Sequence, residues 1–87
     1  MKIKEGYILK EVAGNFIVVA VGEAALDFNG VITLNETGAF LWDKMDSDIT
    51  EQGLVDIMMS EYDIDENTAK ADVLAFTQKL KEAELLV

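Results

Sequence analysis

The stretch VITLNETGAFLW, Val31 to Trp42, decides the fold. Its first part alternates apolar and polar positions as a strand does, with Ile32 and Leu34 on one face. From Glu36 onward the apolar residues fall at helical spacing. The change happens across Leu34 and Asn35. An Asn at that junction accepts a hydrogen bond from a first-turn N–H, and a Glu just after it favours the positive end of the helix dipole. The apolar residue before the cap can pack on the residue five positions later. This triplet of apolar residue, cap and glutamate recurs as LNE at 34–36, ITE at 49–51 and IDE at 64–66. It predicts three helices starting near Glu36, Glu51 and Glu66, with apolar staples Leu34–Ala39, Ile49–Leu54 and Ile64–Ala69.

Working outward, the first helix is predicted over about 36–45, presenting Leu41, Trp42 and Met45. The second covers about 51–61, with Leu54, Ile57 and Met58 inward and Tyr62 just beyond. The third covers about 66–83, with Ala69, Val73, Phe76, Leu80 and Ala83 as its core row. The chain has no proline to interrupt it. Upstream, YILKEV (7–12) and FIVVAV (16–21) flank AGN, whose Gly14 and Asn15 tolerate positive φ. They read as an antiparallel hairpin, the second strand apolar on both faces and therefore expected to be buried on both. DFNGVITL (27–34) reads as the third strand, with Phe28, Ile32 and Leu34 alternating with polar or smaller residues and Gly30 marking a bulge or a close backbone approach. The expected architecture is one α+β domain over 1–87, β-β-β-α-α-α, a three-stranded antiparallel sheet followed by three helices.

Composition narrows the function. The 87 residues are 51% hydrophobic, enough for a packed core. There is no cysteine and no histidine, which removes disulfides, thiolate metal sites, the usual metal ligand and the usual general base. Net charge is −10, with no arginine among the basic residues, so nucleic-acid phosphates are repelled. No apolar run approaches the length of a membrane span, and a cytoplasmic location is expected. Metal, cofactor and membrane are all outside expectation.

Several chemical readings can be weighed. DIDENTAKADVL (63–74) begins like a calcium loop but has Thr68 and Leu74 where glycine and glutamate are required. Asp46-Ser47 matches the modified serine of acyl carriers in two residues only. No nucleophile stands beside a base, so enzyme activity is not expected. Phe40, Trp42 and Phe76 are expected to be core. What remains is on the last helix, where Lys70, Leu74, Thr77 and Lys81 form a stripe beside the core row, basic in an acidic protein. If the strand carrying Val31, Ile32 and Thr33 is a sheet edge, its unpaired backbone can accept an extended peptide.

Over most of its length the chain resembles the PqqD-like family. LNETGAFLWD (34–43) carries the resemblance most specifically, supported by YDIDE (62–66), ADVLAF (71–76) and the terminal Leu85-Leu86. Where members of that family have glycine before the leucine pair, this chain has Glu84. The resemblance implies a winged-helix-like domain that is a non-catalytic peptide chaperone, or recognition element, for ribosomally made and modified peptides. Such a domain binds the precursor's leader by strand addition and presents it to a modifying enzyme, frequently a radical SAM protein. Carried over, the peptide site is Val31, Ile32 and Thr33 with Lys70, Leu74, Thr77 and Lys81. The competing readings are a transcription-type winged helix that binds DNA, and an acidic adaptor docking on an enzyme through 43–66. A free strand edge also permits pairing of two copies.

Overall fold

The computed structural model describes residues 1–27 and 31–87. Strands β1 (Tyr7–Val12) and β2 (Asn15–Ala20) form the hairpin, and β3 (Ile32–Leu34) pairs with β2, giving an antiparallel sheet in the order β1-β2-β3. Between β2 and β3 lies a helical turn, α1 (Ala24–Asp27). Three longer helices follow: α2 (Glu36–Asp43), α3 (Glu51–Glu61) and α4 (Glu66–Glu82). The architecture is the expected α+β domain of a three-stranded sheet and three main helices.

All three triplets cap their helices. Asn35 Oδ1 accepts from Gly38 N–H at 2.7 Å, Thr50 Oγ1 from Gly53 N–H at 3.0 Å, and Asp65 Oδ1 from Thr68 N–H at 2.7 Å. Five of the six staple residues join one core, and the sixth, Ala39, is buried on α2. Leu34, Leu54 and Ala69 are buried in it, and Ile49 and Ile64 pack against it. Val18, Leu41, Met45, Met58, Val73, Leu80 and Leu85 are fully enclosed in it as well.

Three differences from expectation have local causes. The third strand is shorter than 27–34, because Ala24 to Asp27 take a helical turn, which their composition favours. Phe28 and the bulge expected at Gly30 lie outside the described residues. The hairpin turns at Ala13 and Gly14, both with positive φ (52° and 81°), one residue earlier than Gly14-Asn15. Strand β2 is central but is buried on one face only. Val18 is enclosed by the helices, whereas Ile17 and Val19 on the other face are half-buried and stand outside the core cluster. The core cluster lies on the Val18 face, so among the described residues the Ile17 and Val19 face is only partly covered.

Helix α4 ends in a left-handed turn. Glu84 has φ 59°, its N–H donates to Lys81 O at 3.0 Å, and Leu85 N–H donates to Leu80 O at 2.9 Å. These are the two bonds of a Schellman motif, with buried Leu85 as its apolar anchor. The glycine-type turn therefore forms with a glutamate in place, at a conformational cost of roughly 1 kcal/mol. Beyond it the tail runs beside the first residues. Ile3 bridges Leu86, Lys4 N–H donates to Leu85 O at 2.8 Å, and Val87 N–H donates to Lys2 O at 2.8 Å.

Candidate functional site

The hairpin register determines which backbone groups of β3 are available. A two-residue turn makes its flanking pair, Val12 with Asn15, a hydrogen-bonded pair. Alternation along β2 then directs the backbone of Asn15, Ile17 and Val19 to β1, and that of Phe16, Val18 and Ala20 to β3. Phe16 pairs with Leu34 and Val18 with Ile32, so Thr33, opposite Ile17, turns its N–H and C=O outward. No described strand lies beyond β3. Val31, two residues back, is 60% exposed, and Ile32 points its side chain toward the core.

A cleft of about 290 Å³ opens at the Leu34 end of this edge. Its floor is apolar, made by Leu34, Leu41 and Phe76, all buried. One wall is the start of α2, at Asn35, Thr37 and Gly38; the other is α4, at Asp72, Ala75 and Lys79. The small side chain of Ala75 leaves the middle of the α4 wall low. Lys79 reaches across the cleft, and its Nζ donates to Thr33 O at 2.6 Å.

That contact identifies the side of α4 that meets β3. At about 100° per residue, Lys70, Leu74 and Lys81 lie about 180°, 140° and 160° around the helix from Lys79. They occupy the opposite flank. The structure therefore does not bring the basic stripe and the β3 edge onto one groove. Thr77 leaves the stripe altogether: it is 0% exposed, with its hydroxyl donating to Leu74 O at 3.2 Å. It lies only about 40° from Val73 around the axis, close enough to the core row to be covered. Leu74 is 55% exposed, and Lys70 Nζ stands 3.6 Å from Glu66, an i,i+4 surface pair. The α4 residues that do line the cleft, and that the sequence does not single out, are Asp72, Ala75 and Lys79. The available signal was their i, i+3, i+7 spacing with a small residue in the middle.

The other candidates resolve into structure. Phe40 meets the ring of Tyr62 edge to face at 5.4 Å, with Lys44 Nζ 5.2 Å above it. Trp42 is core, and Phe76 is both core and cleft floor. Asp65, from the calcium-like loop, is the α4 cap. Hydrogen bonds from Thr68, chiefly from its backbone N–H, hold the Asp65 carboxyl below its usual range. Among the described residues no cluster of acidic side chains is arranged to hold a metal ion, and no helix is long and apolar enough to cross a membrane.

The sheet, the helix order and the cleft along an open strand edge define a winged-helix-like α+β domain. The chain belongs to the PqqD family: the family model described as "Coenzyme PQQ synthesis protein D (PqqD)" matches residues 7–86. Two solved structures share the fold. TbiB1, in complex with the TbiA(beta) leader peptide, superposes with a TM-score of 0.74 at 21% identity, covering 99% of this chain and 94% of that one. A lasso peptide synthetase B1 complexed with the leader peptide gives 0.72 at 15% identity, covering 99% and 95%. No match was found among curated proteins.

Proposed function

We propose that this chain is a leader-peptide recognition module: it binds an extended segment of a ribosomally made precursor as an added strand on β3 and presents the remainder to a modifying enzyme. The observation that carries this reading is the outward-turned backbone of Thr33 above the apolar cleft. Main-chain hydrogen bonds to an edge give affinity with little sequence demand, and side chains entering the cleft add selectivity. The two fold neighbours were solved with leader peptides bound, which supports the same use of this fold here. In this reading the chain performs no chemistry itself and works in the cytoplasm beside an enzyme of the radical SAM or another peptide-modifying class. The contact residues are Val31, Ile32 and Thr33 on the strand with Ala75, Phe76 and Lys79 across the cleft. Lys70, Leu74 and Lys81 stand outside it.

Thr33→Pro tests this directly. Its N–H faces the open edge, so proline there spares the bonds to β2 and blocks the incoming ladder. Titration of the chain with the leader of a precursor encoded beside it should give shift changes at Ile32–Leu34, and Thr33→Pro should lower affinity at least about tenfold, the loss of one to two hydrogen bonds. Unchanged affinity with Thr33→Pro would refute strand addition.

A further inference from the structure

The carbonyl that an added strand needs at Thr33 is already engaged. The register turns this oxygen away from β2, and the Lys79 ammonium sits on it at 2.6 Å. Among the described residues the ion pairs are Met1 with Asp48 and Lys70 with Glu66, and none of their carboxylates holds Lys79. Its partner is a neutral acceptor, and an ammonium bonds a carboxylate more strongly than a carbonyl. The bond closes the open edge in the free protein with a group that is better satisfied elsewhere.

We propose that Lys79 is a displaceable latch that selects an acidic side chain in the added strand. The inference rests on strand addition at β3. As a backbone N–H of the peptide takes over Thr33 O, the ammonium is released on its flexible four-carbon stem directly beside the peptide. An Asp or Glu projecting toward α4 near that N–H then receives it. Asp72 lies on the same flank seven residues earlier, about 10 Å along the axis, and lines the same cleft. It repels a carboxylate at its own end. The groove is thus positive beside Thr33 and negative beside Asp72, and admits an acid at one end only. A chain of net charge −10 acquires in this way a local preference for an anionic ligand.

A display library of random linear peptides, panned against the intact chain, supplies the probe. Wild type should enrich peptides with a fixed Asp or Glu, whereas Lys79→Glu should enrich Lys or Arg at that position. One selected peptide and its carboxylate-to-amide variant, each titrated against wild type and Lys79→Met, complete a double-mutant cycle. The amide peptide should bind wild type about three- to tenfold more weakly than the acid, an effect that shrinks with added salt. Lys79→Met should bind the two alike, and should hold the amide peptide at least as tightly as wild type does, because nothing has to be displaced. Equal affinity of both peptides for wild type, with shift changes still at Ile32–Leu34, overturns the latch and leaves strand addition standing. Shift changes confined to other surfaces overturn both.

Discussion

The two flanks of α4 differ in charge and have opposite surroundings. One carries Lys70, Leu74 and Lys81 and faces solvent; the other carries Asp72, Ala75 and Lys79 and faces the β3 edge. Each borders the same buried row of Ala69, Val73, Phe76 and Leu80. Helical periodicity fixes that row but is symmetric about it. Which border becomes a groove wall depends on where the sheet comes to rest, a tertiary fact that no spacing within the helix encodes. A basic, leucine-bearing stripe is therefore a poor guide to function until the neighbouring edge has been placed.

The comparison can be broken most sharply at Ala75. Ala75→Trp fills the cleft from an exposed position and replaces no buried side chain, so leader affinity should fall about tenfold or more while the melting temperature holds within a few degrees. A loss of fold would mean that this flank is structural. At the far end of the helix, Glu84→Gly relieves a left-handed glutamate and should stabilise the domain by about 0.5–1 kcal/mol in urea unfolding. Near-zero change would show that Glu84 adopts φ 59° without strain.

Asp65, at the start of α4, gives a pH signature. Its folded-state pKa lies below the ordinary 3.8, so its contribution is present above that value and is lost as pH falls through it toward the folded pKa. Asp65→Asn keeps a cap at every pH. Wild type should be the more stable of the two at neutral pH, and its advantage should shrink progressively in unfolding curves taken as pH is lowered below 3.8. A constant gap would show that the carboxylate's charge is immaterial to the cap. The smallest effect belongs to the outer flank: Leu74→Asp should leave leader affinity within about twofold, since solvent-side substitutions remote from a site are close to neutral. A large loss there would move the binding surface to that side and reverse the comparison.

Much of the fold was legible because its signals are local. Asn35, Thr50 and Asp65 each sit beside the N–H groups they satisfy, so a short triplet was enough to locate three helix starts. The hairpin was legible for the same reason, although the turn fell one residue early, on Ala13 and Gly14. The helical turn at Ala24–Asp27 went unread because four residues carry no periodicity. The candidate cleft was less legible than the strand edge beside it. Val31 to Thr33 could be named as an edge from their place after the hairpin, but Lys79 meets Thr33 across 46 residues of chain. Thr77 misled because a hydroxyl at the margin of the core row reads as surface, while here it satisfies itself on Leu74 O and can be enclosed.

The pairing of Ile3 with Leu86 also sets an order for refolding. It joins residues far apart in the chain, so the seam costs more loop-closure entropy than the β1-β2 hairpin and closes after it. Leu85, whose carbonyl receives Lys4 N–H, is then among the last core side chains to be sealed. Pulse-labelled hydrogen exchange during refolding should protect the hairpin amides before those of Lys4 and Val87.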